Sequence, residues 1–204
     1  MNILNLGWHS FRLVDGGVSL LFDPLTLADN GGKVPRTQND IIVLSQGEED
    51  DYGKSDGFVI ANPGEYEVKD VFVYGFPSTI AGKKTTIYLV EMEGLKILHL
   101  GGAGADFKFS DELLERFADV DILLLPVGGE DFWGPKKALE IVNQLEPRIT
   151  IPMGYQDKDL KVKALPLADF TKEIGGNFET GDKLKVARKD LPEDTNKFFV
   201  IEKA

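Results

Sequence analysis

The sequence predicts an α/β fold in which helices cover the outer faces of two stacked β-sheets. The first hundred residues consist mostly of short runs rich in β-branched and aromatic residues, separated by turn signals. After residue 110 the pattern changes to an alternation of helical and strand segments. A strand meander followed by helix–strand alternation, within 204 residues, is typical of one α/β domain with two sheets.

The first half of the chain is predicted to be a meander of strands. Two tight hairpins are expected within it, because Gly16-Gly17 and Glu93-Gly94 are dipeptides that favour two-residue turns. The predicted strand segments, in order, are NILNLG, SFRLVDGGVSLLFDP, DIIVLS, GFVIAN, DVFVYGF and TTIYLVEMEGLKILHL.

The second half is predicted to contain three helices and four strands. Ser110 is a suitable N-cap for a helix over SDELLERFA, and Pro135 is suited to the first position of a helix over GPKKALEIVNQLEP. A third helix over LADFTKEIGG would end at Gly175. The expected core face of the second helix consists of Ala138, Ile141, Val142 and Leu145. The strand segments are DILLLP, RITIP, KLKVA and KFFVIE.

Charge and composition exclude several classes of function. Lys and Arg number 23 against 34 Asp and Glu, a formal net charge of −11, so neither nucleic acid nor a membrane surface is expected as a partner. No run approaches the roughly 20 apolar residues of a membrane span, and no signal peptide is recognised, so a cytoplasmic location is expected. The chain has no cysteine, which excludes disulfides, thiolate zinc ligands and cysteine nucleophiles.

Seven short motifs follow one another in an order that resembles the metallo-β-lactamase superfamily. The closest resemblance is to its L-ascorbate-6-phosphate-lactonase-like branch of predicted zinc-dependent hydrolases, over roughly residues 1–160. The resemblance implies an αββα sandwich, formed as a single domain over residues 1–204, with a site at one edge. The motifs are GWHSF (7–11), LFDP (21–24), VLS (43–45), NPGEYEV (62–68), LHLG (98–101), LLLPVGG (123–129) and IPMGY (151–155).

The same resemblance locates the positions that hold metal in the family. The loop after VLS is similar to His-x-His-x-Asp-His, and its four ligand positions carry Gln46, Glu48, Asp50 and Asp51 here. The aspartate that ends the family motif HLGD is replaced by Gly102, and the histidine of IPMHY is replaced by Gly154. Of these six former ligand positions, only Asp50 keeps the residue of the family pattern.

These replacements predict a protein that has lost zinc-dependent hydrolysis. A metal-bound water needs three or more well-placed ligands to become a hydroxide near neutral pH, and glycine supplies no ligand atom. The first hypothesis is therefore a pseudoenzyme: a binding or scaffolding protein with no catalytic residues and no zinc, which self-associates. Its small-molecule or protein partner is not specified by the sequence.

The adjacent carboxylates of the acidic loop leave three alternatives open. Glu48, Asp50 and Asp51 could hold a hard cation such as Mg²⁺, Mn²⁺ or Ca²⁺, and so rebuild a hydrolase for a lactone or phosphoester. They could instead contact a basic partner. The third alternative is a solvated acidic loop, which is how most runs of like charge behave.

Four further residues are candidates for a role near this site. His9 and His99 fall outside the primary ligand positions, so each is expected to be a hydrogen-bonded core or supporting residue. Phe132 and Trp133 adjoin each other in a predicted loop. Both rings are expected to anchor the core, and the alternative is that one of them is exposed as an interface residue. The loop LGGAGAD (100–106) is expected to be packing, with room for a small anion on its backbone N–H groups as the alternative.

Overall fold

The computed structural model describes residues 1–34, 37–49, 57–193 and 195–204. These residues form two mixed β-sheets with helices on their outer faces. The strands of the first sheet are β1 (Asn2–Gly7), β2 (Ser10–Asp15), β3 (Val18–Phe22), β4 (Ile41–Val43), β5 (Phe58–Ile60) and β13 (Leu184–Lys185). Those of the second are β6 (Gly64–Val68), β7 (Val71–Ile80), β8 (Lys83–Met92), β9 (Leu95–His99), β10 (Ile122–Pro126), β11 (Ile149–Met153), β12 (Glu179–Gly181) and β14 (Lys197–Ile201).

The strand order combines antiparallel hairpins with parallel crossovers. The six-stranded sheet has the order β13-β1-β2-β3-β4-β5, and the eight-stranded sheet has the order β12-β14-β11-β10-β9-β8-β7-β6. Strands β3, β4 and β5 run parallel, as do β9, β10, β11 and β14. The two predicted hairpins are confirmed, because Gly16, Gly17, Glu93 and Gly94 all have the positive φ that such turns need.

Four α-helices accompany the sheets in the described part of the chain: α1 (Pro24–Asp29), α2 (Asp111–Arg116), α3 (Pro135–Leu145) and α4 (Leu167–Glu173). The three predicted helices are confirmed as α2, α3 and α4. The Ser110 side chain caps α2 by accepting a hydrogen bond from the Leu113 N–H at 3.3 Å. Helix α1 and strand β12, of six and three residues, were missed.

The core lies in three layers that follow from this arrangement. Apolar side chains from both sheets meet between them, for example Leu13 and Leu20 of the first sheet and Val90 and Leu124 of the second. Helices α2, α3 and α4 cover the outer face of the eight-stranded sheet, and α1 covers part of the other outer face through Leu27. The predicted α/β architecture of two mixed sheets flanked by helices is therefore confirmed.

Candidate functional site

The candidate site lies at the edge of the sandwich where strands of both sheets end. Asp23 follows β3 and Ser45 follows β4, while His99 ends β9 and Gly154 follows the parallel strand β11. Parallel strands end together at one sheet edge, so these residues meet. The backbone bond from the Gly154 N–H to the Trp8 carbonyl, 3.1 Å, joins the second sheet to the β1–β2 turn of the first.

Asp23 is the most constrained residue of this edge. It is 1% exposed, and its backbone adopts a left-handed conformation, with φ of 48°, between β3 and α1. Its carboxylate accepts hydrogen bonds from the Ser45 N–H and the Ser45 hydroxyl, both at 2.6 Å. Burial raises the pKa of Asp23, while His99 and the two Ser45 bonds oppose that rise. The LFDP motif pointed to this position, yet Asp23 was not predicted as a site residue.

His99 is a neutral, fully hydrogen-bonded imidazole. Its Nε2 donates to the His9 carbonyl at 2.9 Å, and its Nδ1 accepts from the Gly101 N–H at 3.3 Å. Its ring stacks on Phe22 with centroids 4.4 Å apart, and Asp23 Oδ2 lies 3.8 Å from Nε2. Burial lowers the pKa of His99. The prediction of a hydrogen-bonded core role is confirmed for His99, and both ring nitrogens are engaged within the protein.

His9 departs from the same prediction. It is completely buried, and neither ring nitrogen has a hydrogen-bond partner within the described ranges. It also lies outside a strand, since Trp8 and His9 form the turn between β1 and β2, with Trp8 at a φ of 54°. The ring is instead held by aromatic contacts, stacked on Trp8 at 4.7 Å and against the edge of Phe132 at 4.6 Å. Burial lowers the pKa of His9 well below its ordinary value, which keeps the imidazole neutral.

The glycine-rich loop after β9 is tightly bonded to the rest of the protein. The N–H groups of Gly101, Ala103, Gly104 and Ala105 all donate to protein acceptors. The anion-binding alternative is therefore wrong for these four amides, because each already has an acceptor. The expected room at Gly102 is also absent: a Cβ there would lie closer than 3.0 Å to the Thr86 carbonyl oxygen. The packing role predicted for this loop agrees with these contacts.

The acidic loop begins at a well-defined anchor. The Ser45 carbonyl accepts a hydrogen bond from the Thr86 N–H at 2.9 Å, after which Gln46 is half-buried and Glu48 is exposed. Asp50 and Asp51 lie outside the described residues, so the hard-cation hypothesis for Glu48, Asp50 and Asp51 stays a prediction. In the part of the chain that the structure describes, no group of three or more His, Asp or Glu side chains is arranged to hold a metal ion.

Phe132 and Trp133 are both buried, at 8% and 1% exposure. The expected core position of both rings is therefore confirmed, and the alternative of one exposed interface ring is wrong. Phe132 points towards the site and contacts Trp8 and His9, whereas Trp133 packs with Phe107 and Phe109 beneath the loop that precedes α3. Both rings fit inside because each packs against a different group of aromatic side chains.

A cavity of about 770 Å³ opens beside Gly154 at this edge. Trp8 and Tyr155 give it aromatic surface, and Lys203 bridges its two acidic residues, at 2.8 Å from Asp157 and 3.2 Å from Asp159. Burial acts to raise the pKa of Asp157, but the hydrogen bonds that it accepts from Lys203 and from the Asp159 N–H, together with the nearby lysine charges, lower it overall. A volume of this size is within the range of small-molecule sites in proteins.

Comparison with known proteins agrees with the fold. A family model described as "Beta-lactamase superfamily domain" matches residues 2–154. A solved structure from Thermotoga maritima, provisionally assigned as a Zn-dependent hydrolase of the metallo-β-lactamase superfamily, is 30% identical with a TM-score of 0.80, and the match covers 98% of each chain. The chain therefore belongs to the metallo-β-lactamase superfamily.

Curated relatives carry family names of two kinds. A "UPF0173 metal-dependent hydrolase" of Thermococcus onnurineus is 46% identical over 70 residues, which is 33% of this chain and 30% of that protein. A "UPF0173 protein" of Pyrococcus furiosus is 29% identical over 185 residues, 76% of this chain and 83% of that protein. The match to the Thermococcus onnurineus protein thus spans less than a third of that protein's length.

No helix in the described segments is both long enough and apolar enough to cross a bilayer.

Proposed function

We propose that this chain is a binding or scaffolding protein of the metallo-β-lactamase fold that does not catalyse zinc-dependent hydrolysis. The observation that carries the proposal is the pair of glycines at positions 102 and 154, where the family resemblance places an aspartate and a histidine. Zinc at a hydrolytic site needs about three protein ligands and an open position. Within the described residues no three His, Asp or Glu side chains are arranged to meet that requirement, and His99 uses both ring nitrogens within the protein.

The cavity beside Gly154 is the place where we expect a ligand to bind. It adjoins the edge at which this fold carries its chemistry, and Trp8 and Tyr155 offer aromatic surface to a small molecule. Self-association and a cytoplasmic location are part of the same proposal, and size-exclusion chromatography with light scattering tests the first of these.

The second candidate is a metal-dependent hydrolase that uses a harder cation. Its support is the name "metal-dependent hydrolase" carried by relatives such as the Thermococcus onnurineus protein. In this chain the ligands would be Glu48, Asp50 and Asp51, since carboxylates suit Mg²⁺, Mn²⁺ and Ca²⁺. The substrate would be a lactone or a phosphoester.

Elemental analysis separates the two candidates. The untagged protein is dialysed against a mixture of Zn²⁺, Mn²⁺, Mg²⁺ and Ca²⁺, then freed of unbound metal and analysed. We expect less than about 0.1 metal ion per chain, because a hydrolytic site needs several convergent ligands. The variant Asp50→Ala, with Glu49→Ala as its matched control in the same loop, is analysed in parallel.

Two results would contradict the first candidate. Stoichiometric zinc together with chelator-sensitive hydrolysis would show that ligands exist in spite of the glycines. Stoichiometric Mg²⁺, Mn²⁺ or Ca²⁺ that is lost in Asp50→Ala and kept in Glu49→Ala would favour the carboxylate hydrolase, and a screen of lactones and phosphodiesters would follow.

A further inference from the structure

The side-chain position of residue 102 is filled by the backbone of a central strand. A Cβ on Gly102 would lie closer than 3.0 Å to the carbonyl oxygen of Thr86 in β8. That segment is held on both sides, since the Thr85 hydroxyl donates to the Gly102 carbonyl at 2.5 Å and the Thr86 N–H donates to the Ser45 carbonyl at 2.9 Å. Because the Thr86 N–H is hydrogen-bonded and β8 is an interior strand of its sheet, this peptide group cannot move aside cheaply.

The side-chain position of residue 154 is filled by the His9 imidazole, which belongs to the turn between β1 and β2. A Cβ on Gly154 would lie closer than 3.0 Å to the Nε2 atom of His9. The His9 ring cannot rotate away freely, because Trp8 stacks on it and Phe132 contacts it edge-on. The backbone bond from Gly154 to Trp8 holds the turn against β11.

We infer that the fold itself closes both positions: the Thr86 carbonyl occupies the side-chain space of residue 102, and the His9 imidazole occupies that of residue 154. This accounts for a fully buried His9 without hydrogen bonds to its ring in the described structure, since the ring serves to fill space. Returning an aspartate to 102 and a histidine to 154 therefore does not by itself rebuild a metal site. The inference extends the proposed function, but it rests on packing geometry alone.

A double-mutant cycle between His9 and Gly154 tests the inference. In the wild-type background, Gly154→Ala is expected to lower Tm by about 3–10 °C through overpacking and strain. In a His9→Ala background, the same change is expected to cost only the strain of its left-handed backbone. The reference for that strain is Gly82→Ala, because Gly82 has a φ of 79°, close to the 64° of Gly154, and no described atom lies within 4 Å of its Cβ position.

A second background keeps the cycle informative if His9→Ala does not fold. His9→Asn retains a polar side chain but is too short to reach the space that Nε2 occupies, so Gly154→Ala is expected to be tolerated there too. If Gly154→Ala lowers Tm by the same amount with and without the His9 ring, the inference is overturned.

A second pair of variants, Gly102→Ser and Gly134→Ser, tests the closure of position 102. Gly102→Ser is expected to lower Tm by about 5 °C or more, because its Cβ meets backbone. Gly134→Ser is the control: no described atom approaches its Cβ position, and serine is a good N-cap for α3. Equal tolerance of both serines would contradict the closure of position 102.

The doubly restored variant Gly102→Asp, Gly154→His is then analysed for zinc. We expect no stoichiometric zinc, and a full equivalent in a folded variant would overturn the inference. Zinc in the wild-type protein would overturn the proposed function yet leave the cycle standing, so the two failures are distinguishable.

Discussion

At the scale of single residues, the candidate site divides into bonded and unbonded buried polar groups. Asp23 is bonded to Ser45 within the first sheet, while His99 joins the two sheets through its bond to the His9 carbonyl. His9, Ser78 and Trp133 carry buried polar atoms that lack partners in the described segments. A buried polar group without a partner costs free energy of folding, so the two sets respond differently to truncation.

Ser45 and Ser78 form a matched pair for this difference. Ser45→Ala removes the hydroxyl that donates to Asp23 and is expected to lower the free energy of unfolding by about 1–3 kcal/mol, because the buried carboxylate loses one of its two Ser45 bonds. Ser78→Ala removes a buried hydroxyl with no described partner and is expected to be neutral or stabilising. Chemical denaturation measures both, and an equal loss for the two variants would contradict the assignment.

At the scale of elements, α3 shows how a local pattern becomes a layer of the fold. Pro135 starts the helix, and Ala138, Ile141, Val142 and Leu145 lie on its buried face. That face covers the outer side of the eight-stranded sheet around Leu123 and Leu125. The sequence predicted this element in detail, because its helical period, its first residue and its core face agree.

Shortening single side chains of α3 tests which of its faces is buried. Ile141→Ala is expected to lower the free energy of unfolding by about 2–5 kcal/mol, since it removes buried apolar volume and leaves a cavity. Gln144→Ala, at an exposed position one turn further on, is the control and is expected to change it by less than about 0.5 kcal/mol. Urea denaturation followed by circular dichroism provides both values, and equal losses would place the core face of α3 elsewhere.

At the scale of the whole molecule, the two sheets share one apolar layer. Leu13 of β2 and Ile151 of β11 belong to the same cluster, although they lie in different sheets. The prediction of a single domain over residues 1–204 implies that loss of packing on either sheet destabilises both.

Thermal unfolding tests that prediction. Leu13→Ala and Ile151→Ala are each expected to lower Tm by about 5–15 °C in one shared transition. The two tryptophans of the chain, Trp8 and Trp133, report separately in the variants Trp133→Phe and Trp8→Phe. Different midpoints for the two fluorescence probes would show that the sheets unfold independently.

Local patterns were sufficient for most of the elements and for the architecture. Hairpin glycines, helix caps and apolar periods depend on neighbouring residues, so they can be read from the chain. The short elements α1 and β12 were missed.

Sequence motifs alone determined that this chain has the metallo-β-lactamase fold and that glycines stand at positions 102 and 154. Only the tertiary structure decided what surrounds those glycines: the Thr86 carbonyl fills one position and the His9 ring the other. It also decided that Asp23 and Ser45 bond at the centre of the edge, and that Phe132 and Trp133 are both buried. The reason is physical, because each of these contacts joins segments far apart in the chain, and no local pattern specifies which distant group will occupy a given space.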